Sequence, residues 1–325
     1  MTIERAIPFL LTTVLFIGCA KQPQAEAPAP QPTSSPTTAA APTTDASVKG
    51  FKIGVFSAMA LADGGMTVPN DAKTIGIGHS SEEIAELLSA AGVSTTELSL
   101  DVHPLLVKAG DKVLLFDTGA GKNMGASVGK LHDSMKQAGV DPARVTDIFI
   151  SHVHGDHVGG LVDANGALAF PNATIHLSKP EWEFLKALGE QGAAKVGINN
   201  YAAFVAAITP KIAAFAPGSD LIPGVVKAVE IKGHTPGHSG YRITSGADSV
   251  LYIGDTAHHY IVSVQKPDWT IAFDTDAPTA QASRKELIAQ SAASGQRIYA
   301  VHFPFPGLGT FEKQGDGYVW KAEPL

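Results

Sequence analysis

Cysteine is nearly absent from this sequence, which has one, Cys19, among 325 residues. A single thiol cannot form a disulfide within the chain, so packing or bound metal must hold the fold together. Positive charge is not in excess either, because 24 Lys and Arg residues face 31 Asp and Glu residues, and the formal net charge is −7. No basic stripe is present that could neutralise phosphates, and we therefore expect no nucleic-acid partner.

The N-terminal apolar run, Ala6 to Gly18, is too short to span a bilayer securely. Arg5 precedes the run and Cys19 follows it, a pattern that resembles a bacterial lipoprotein signal in which cleavage leaves the thiol to carry lipid. An ordinary secretory signal is the alternative, because Glu4 offsets Arg5 and Phe16 stands where such signals usually have Leu. We predict a lipoprotein anchored in a cell-envelope membrane and facing the periplasm.

Composition divides the chain into three parts. Residues 1–19 form the predicted signal peptide, and residues 20–49 are rich in Ala, Pro, Thr, Gln and Ser, which predicts a disordered tether. Residues 50–325 form one predicted α/β domain, because a chain that is 44% hydrophobic can fill a core of that size. The sequence leaves the choice between monomer and homodimer open.

Local patterns predict the first elements of this domain. FKIGVFSAMAL is typical of an entry strand, and SSEEIAELLSAAGV of a helix capped by Ser80 or Ser81. LSLDVHPLLVKAG and DKVLLFDTGA predict two strands joined by a hairpin at Gly110 and Asp111. The Ala-rich stretch from Leu185 to Pro217 has helical tendency.

The decapeptide SHVHGDHVGG places three histidines and one aspartate within six residues, directly after the apolar, β-branched run VTDIFI. That run predicts a buried strand, so the polar side chains lie at its carboxyl end. Imidazole nitrogen and carboxylate oxygen suit zinc or a similar divalent ion. The spacing lets His152 and His154 reach one ion while Asp156 and His157 face another, and a solvated polar loop is the less favoured interpretation.

The motif HxHxDH resembles the signature of the metallo-β-lactamase-fold hydrolases. Four further motifs occur in the order of that family, namely DTG before it and GHTPGH, GD and HFPFPG after it. HFPFPG is similar to the C-terminal signature of the methyl-parathion-hydrolase-like branch. The resemblance implies an αββα sandwich of two mixed β-sheets flanked by helices.

The resemblance also implies two divalent ions, most simply zinc, although the same ligands accept manganese, iron or cobalt. His152, His154 and His238 would hold one ion, Asp156, His157 and His302 the other, with Asp255 between them. His234 is expected to support the turn that delivers His238. Asp117 in DTG has two compatible interpretations, a turn residue or a carboxylate that steadies the metal loop.

Other histidines and aromatics receive lesser roles. His103 and His176 are expected to be structural, while His258 and His259 are placed at the substrate rim. We predict an apolar pocket that prefers neutral substrates, with the same rings filling the core as the alternative. Its predicted wall consists of Trp182, Phe184, Phe204, Trp269, Phe303, Phe305 and Leu308.

The chemistry expected of such a site is hydrolysis of a small molecule. Two cations lower the pKa of a shared water to about 7, so a metal-bound hydroxide can attack neutral aryl esters, lactones or phosphotriesters. Asp255 bridges the ions in this mechanism, and Asp156 is a candidate proton shuttle. Asp255 disfavours a β-lactamase proper, and the short segment after it leaves no room for the glutathione-binding domain of glyoxalase II.

Two alternatives to this function remain. One is an acyl-homoserine lactonase that quenches quorum sensing. The other is a non-catalytic periplasmic lipoprotein that binds zinc, which is disfavoured because the predicted ligands lie at several strand ends rather than in an exposed, exchangeable cluster.

Overall fold

The computed structural model describes residues 47–122 and 124–325. The predicted signal peptide and nearly all of the predicted tether lie outside the described residues. The first strand begins at Val48, ahead of the predicted start of the domain at Gly50. Within the described part of the chain, none of the helices is both long and apolar enough to cross a bilayer.

The described residues form eighteen strands and seven α-helices. The strands are β1 (Val48–Ile53), β2 (Phe56–Leu61), β3 (Gly64–Pro69), β4 (Ile75–Ile77), β5 (Glu97–Val102), β6 (Leu105–Ala109), β7 (Lys112–Phe116), β8 (Asp147–Phe149), β9 (Thr174–Ser178), β10 (Ile212–Phe215), β11 (Asp220–Ile222), β12 (Val226–Glu230), β13 (Ser239–Ser245), β14 (Asp248–Tyr252), β15 (Thr270–Ile271), β16 (Arg297–Tyr299), β17 (Leu308–Gln314) and β18 (Gly317–Ala322). The helices are α1 (Ser81–Ala90), α2 (Leu131–Gln137), α3 (Gly155–Val158), α4 (Lys179–Lys195), α5 (Tyr201–Ile208), α6 (Val262–Gln265) and α7 (Ala277–Ser294).

Two seven-stranded sheets dominate the architecture. The first has the order β1-β2-β6-β7-β8-β9-β10, and the second β11-β12-β13-β14-β16-β17-β18. Both sheets are mixed, since β7 to β10 run parallel in the first and β14 pairs parallel with β16 in the second. The predicted fold of two mixed sheets flanked by helices is therefore confirmed.

The main core lies between the two sheets. Phe116 and Phe149 from the first sheet stack with ring centroids 4.9 Å apart, and Tyr241 from the second packs on both of them. Each fully buried ring of this kind contributes about 2–3 kcal/mol of hydrophobic stabilisation. Separate apolar clusters seat α4 and α5 on the outer face of the first sheet and α7 on the outer face of the second.

Two predicted strands are each divided in the structure. FKIGVFSAMAL forms the hairpin of β1 and β2, because Gly54 at φ 53° makes the turn and a Cβ there would lie 2.4 Å from the carbonyl oxygen of Ser245. LSLDVHPLLVKAG forms β5 and β6, which belong to different sheets, because Pro104 between them has no amide to donate to a ladder.

Other local predictions are confirmed. Helix α1 begins after Ser80, whose side chain accepts a hydrogen bond from Glu83 N while the Glu83 carboxylate accepts one from Ser80 N. The hairpin at Gly110 joins β6 and β7. The stretch from Leu185 to Pro217 is helical in its first part, but it ends in β10, which pairs parallel with β9.

The sheets bring distant motifs to one edge of the sandwich. β8 leads into HxHxDH, β14 into Asp255, and β16 into His302, while GHTPGH connects β12 to β13. Carboxyl ends of parallel strands lie at the same edge of a sheet, where ligand sites commonly form. These four motifs therefore meet in space although they are spread over residues 152–307.

Candidate metal centre

The HxHxDH motif forms a loop and one short helix after β8. The amide of Gly155 donates to Val196 O at 2.7 Å, which pulls the loop against the segment that follows α4. A Cβ at Gly155 would lie 2.4 Å from Gly197 O, so the glycine permits this close approach. His152 and His157 are fully buried, whereas His154 and Asp156 retain contact with a cavity.

A first cluster of possible ligand atoms consists of His152, His154, His234 and Asp255. His234 Nε2 lies 3.1 Å from His152 Nε2 and 3.1 Å from His154 Nδ1. One ligand atom from each of the four residues lies within 4.8 Å of the others. Three imidazoles and a carboxylate at this separation match the donor set of a divalent transition metal.

A second cluster consists of Asp156, His157 and His302. His302 Nε2 lies 3.3 Å from His157 Nε2 and 3.4 Å from Asp156 Oδ2. The Asp156 side chain is 11% exposed and the two histidines are buried, so a charged group here is largely shielded from water.

Asp255 lies between the two clusters. Its Oδ2 faces His152 and His234 at 3.6 and 3.4 Å, and its Oδ1 lies 3.1 Å from both His157 Nε2 and His302 Nε2. Oδ1 is buried without a hydrogen-bond partner. A buried anionic oxygen without a partner is costly, and cations between the carboxylate and the imidazoles would satisfy it. The residues therefore fit two divalent ions with Asp255 shared between them.

The structure gives the two histidines of GHTPGH, His234 and His238, positions opposite to those predicted. His234 joins the first cluster, whereas His238 Nδ1 lies 3.2 Å from Ile231 O and His238 Nε2 accepts a hydrogen bond from the amide of Asp255 at 3.0 Å. Both ring nitrogens of His238 therefore face backbone. The assignment of ligation to His238 and support to His234 is corrected, because the turn directs the first imidazole to the centre and the second to the base of the Asp255 loop.

The second cluster is backed by Asp117, as the resemblance implied. Asp117 Oδ2 lies 2.7 Å from His157 Nδ1 and accepts hydrogen bonds from Ser151 Oγ at 2.6 Å and Tyr252 OH at 2.7 Å. His302 Nδ1 lies 2.7 Å from Asp101 O. Each imidazole of this cluster thus has its outer nitrogen bound, which fixes the orientation of the nitrogen that faces inward.

The first cluster is backed by an ion pair that sequence analysis missed. His234 Nδ1 lies 3.0 Å from Asp274 Oδ1, and Asp274 Oδ2 accepts from the guanidinium of Arg284 at 2.7 Å. Arg284 is fully buried on α7 and also donates to the carbonyls of Thr256, Pro267 and Trp269. The signal available in the sequence was the arginine of the segment QASRKELIAQSAASG in α7, and no motif connected it to the ligands.

The two clusters differ in their protonation. Burial lowers the pKa of His152 and of His234 well below the ordinary value and lowers that of His154 to about 4. Burial also disfavours the charged form of His157, but the carboxylates of Asp255, Asp156 and Asp117 outweigh it and hold the His157 pKa well above its ordinary value. Without cations, the imidazoles of the first cluster are therefore neutral and have lone pairs that can bind metal, whereas His157 in the second cluster holds a proton.

A cavity of about 470 Å³ opens over both clusters. His154, Asp156, Asp255, His258 and His302 lie at its polar floor. Its apolar wall includes Met66, Val68, Leu100, Met124, Val196 and Phe273. An uncharged organic molecule with one polar reacting group would match this division of the surface.

The sequence profile of the metallo-beta-lactamase superfamily matches residues 100–302, which include every residue of both clusters. This chain belongs to the metallo-beta-lactamase superfamily. The match excludes the first four strands and the last two. β1, β2, β17 and β18 complete the edges of the two large sheets, β3 lines the cavity through Met66 and Val68, and β4 pairs with β15.

Solved structures of the superfamily resemble the whole described chain. AidC, a dizinc quorum-quenching lactonase solved with a product, is 30% identical with a TM-score of 0.79, and the alignment covers 86% of this chain and 98% of AidC. The hydrolase AbOPH is 28% identical with a TM-score of 0.77, covering 86% of this chain and 98% of that chain.

Curated relatives match shorter segments. A Ribonuclease Z of Pyrococcus furiosus is 30% identical over 96 residues, which are 29% of this chain and 28% of that protein. A probable metallo-hydrolase of Mycobacterium bovis is 25% identical over 202 residues, 53% of this chain and 62% of that protein. These relatives support a metal-dependent hydrolase.

The predicted wall of the pocket is wrong. Phe204, Trp269, Phe303 and Leu308 are core residues, and Trp182, Phe184 and Phe305 pack against the core. The prediction failed because the aromatic residues after His302 and in α4 turn toward the sheets, whereas β3, β5 and the segment after β15 reach the cavity. Phe273, which is 38% exposed, is the aromatic ring that lines it.

The two histidines that follow Asp255, His258 and His259, lie in different environments. His258 lies on the cavity floor with Nε2 3.2 Å from Asp255 Oδ2, and both of its ring nitrogens lack a hydrogen-bond partner. His259 points away from this cavity, and its Nδ1 accepts from the amides of Ile261 and Val262. The structure therefore places His258 at the floor of the cavity rather than at its rim, and His259 outside the cavity.

Proposed function

We propose that this protein is a dinuclear metal-dependent hydrolase of lactones and other uncharged esters. The observation that carries the proposal is Asp255, whose two oxygens face two separate groups of imidazoles and whose Oδ1 has no partner of its own. A carboxylate placed in this way reduces the repulsion between two cations held a few ångströms apart.

The proposed ligands are divided between the two clusters. His152, His154 and His234 would hold one ion. Asp156, His157 and His302 would hold the other, and Asp255 would contact both. Nitrogen and oxygen donors of this kind favour zinc. A bound divalent cation supplies Lewis acidity, since it polarises a carbonyl or phosphoryl oxygen and lowers the pKa of water.

The side chains around the centre provide binding and proton transfer. The apolar wall would hold the acyl or aryl part of a substrate, and burying about 100 Å² of it contributes roughly 2–3 kcal/mol. Asp156 faces the cavity from the second cluster and is the candidate that passes a proton to the leaving oxygen. Among the residues that line the cavity, Lys195 carries the one Lys or Arg charge and is exposed, so an anionic substrate would find only the bound cations at the floor.

The likeness to AidC, a quorum-quenching lactonase, supports lactones as the first substrate class. Aryl esters and phosphotriesters are the second candidate class. That class is favoured by HFPFPG (302–307), which resembles the methyl-parathion-hydrolase-like branch.

A substrate panel tests the proposal. The zinc-loaded protein is assayed with an acyl-homoserine lactone, an unsubstituted aryl lactone, p-nitrophenyl acetate, methyl paraoxon and nitrocefin, each with and without a chelator. We expect chelator-sensitive hydrolysis of the lactones and the aryl ester and none of nitrocefin. Tight zinc binding without turnover of any substrate would instead identify a non-catalytic zinc-binding protein.

We also propose that Cys19, which lies outside the described residues, carries the lipid that anchors the protein in the cell envelope. Two or three acyl chains hold a protein firmly, at about 0.8 kcal/mol per buried CH₂. Fractionation of Cys19→Ala should move the protein from the membrane to the soluble fraction, and an unchanged membrane fraction would refute the anchor.

A further inference from the structure

Glu181 is a fully buried carboxylate at the start of α4 that takes no part in either cluster. Burial raises its pKa to about 7 against the opposing effect of its hydrogen bonds. Among the ion pairs of residues 47–122 and 124–325, none includes Glu181, so no cation offsets the burial of its charge. Hydrogen bonds from neighbouring donors stabilise the carboxylate instead, and an apolar side chain at this position would leave those buried donors without partners.

The partners of Glu181 show what that use is. Its Oε1 accepts from the amide of Val153 at 2.9 Å, and Val153 stands between His152 and His154. Its Oε2 accepts from Thr235 Oγ1 at 2.8 Å and from the amide of Gly237 at 2.8 Å, in the turn that begins with His234.

Glu181 therefore joins the backbones of the two loops that supply the three imidazoles of the first cluster. The fit is close, because a Cβ at Gly237 would lie 2.2 Å from Glu181 N, and Ser178 Oγ donates to Gly237 O at 2.6 Å. The second cluster has no such contact with Glu181, since its own supports are Asp117 and the backbone of Asp101.

Glu181 accepts hydrogen bonds from both loops at once, which requires two acceptor oxygens. A glutamine offers one oxygen and one amide donor, so it leaves at least one of the two backbone amides without a partner. An error of about 1 Å in the relative position of two ligand loops is enough to weaken a metal site.

We propose that Glu181 is a positioning residue that sets the distance between the His152–His154 loop and the His234 turn, and thereby selectively supports the first metal site. This inference rests on the proposed dinuclear function. It predicts that loss of Glu181 weakens one ion and leaves the other in place.

The test measures zinc retention in the full-length protein. Wild type, Glu181→Gln and Asp147→Asn are loaded with zinc and dialysed against a chelator, and the zinc remaining per chain is measured over time. Asp147→Asn is the matched control, because Asp147 is another buried carboxylate of the first sheet whose partners, Lys112 and His176, contact neither ligand loop.

We expect Glu181→Gln to lose one of its two ions about ten- to hundredfold faster than wild type, while the second ion is retained as in wild type. Asp147→Asn should retain both ions even if its melting temperature falls by as much as that of Glu181→Gln. Cobalt-substituted Glu181→Gln should show a changed visible absorption for one site, a readout that general destabilisation does not move.

Thr235→Val provides a second, milder variant in case Glu181→Gln fails to fold. It removes one hydrogen bond and keeps the carboxylate, so zinc loss from the same site should quicken by a smaller factor. Wild-type retention in both variants would overturn the inference, as would equal loss from the two sites or the same loss in Asp147→Asn. If the wild type itself binds no zinc, the proposed function fails first.

Discussion

The two clusters of the metal centre are supported in different ways. The second cluster relies on one carboxylate, Asp117, which contacts His157, Ser151 and Tyr252 at the junction of the two sheets. The first cluster relies on Asp274 and its ion pair with Arg284, which lie on the segment and helix that follow β15. The carboxylate behind His157 therefore lies between the two large sheets, whereas the carboxylate behind His234 lies on a segment outside them.

This difference determines how a change in each half of the site would act. Asp117 is fully buried and binds groups from both large sheets, so a change there would disturb the fold as well as the metal. The half that holds His234 depends on the buried Arg284 of α7, whose other hydrogen bonds go to the carbonyls of Thr256, Pro267 and Trp269. Changes at Asp274 should therefore weaken the first site and also cost folding stability, because they leave the charge of Arg284 buried.

The largest effect should follow removal of Asp255, the carboxylate that lies between the two clusters. Asp255→Ala leaves two cations facing each other without a shared anion, so at least one ion should be lost and kcat/KM should fall by about a thousandfold or more. Metal analysis measures the number of bound ions, and an ester assay measures kcat/KM. Asp268→Ala, an exposed carboxylate paired with Lys285, is the control. Two ions per chain with intact activity in Asp255→Ala would exclude the shared position.

A second pair of variants separates the histidines of GHTPGH. His234→Ala removes a proposed ligand and should cost the ion of the first cluster, together with about a hundredfold or more in activity. His238→Ala removes a contact to the Asp255 amide and should keep both ions with a smaller loss of activity. The comparison is made by zinc content after dialysis. Loss of zinc from His238→Ala but not from His234→Ala would restore the original assignment.

A third set of variants tests the support of the first cluster. Asp274→Asn leaves the buried Arg284 without its partner and should cost about 3–5 kcal/mol of folding stability. Asp274→Leu combined with Arg284→Met should recover much of that stability, yet still bind the first ion more weakly, because His234 Nδ1 loses its partner. Thermal unfolding and zinc retention are measured together. Full recovery of zinc retention by the double variant would show that Asp274 acts through stability alone.

The smallest effect concerns Asp147, which lies on β8 but outside the centre. Burial disfavours its charge, but hydrogen bonds from His176 and Lys112 outweigh burial and hold the Asp147 pKa below its ordinary value. A lowered pKa contributes stability that is present above the ordinary value near 4 and lost as pH falls below it. Asp147→Asn should therefore cost about 1.5–3 kcal/mol at pH 7 and progressively less below pH 4. A cost that does not change with pH in denaturant melts would contradict this origin.

Much of the architecture could be predicted because local patterns and the order of the motifs agree with it. The capping residues of α1, the hairpin at Gly110 and the buried strand before HxHxDH depend on neighbours in sequence. Strand division was harder to predict, because the break at Pro104 depends on which sheet each half joins.

Two of the missed features depend on side-chain direction. In GHTPGH two histidines occupy one turn, and only the path of the backbone decides that His234 faces the centre and His238 faces Ile231. The wall of the cavity was misplaced for the same reason, since composition does not tell whether a ring such as Phe303 turns inward. Asp274 and Arg284 were missed because they lie outside every motif.

Anomalous diffraction at the zinc edge from crystals of the zinc-loaded protein tests the central claim most directly. Two peaks are predicted, one within ligand distance of His152, His154 and His234 and the other within ligand distance of Asp156, His157 and His302, with Asp255 contacting both. A single peak, or a peak bound by His238 in place of His234, would contradict the account.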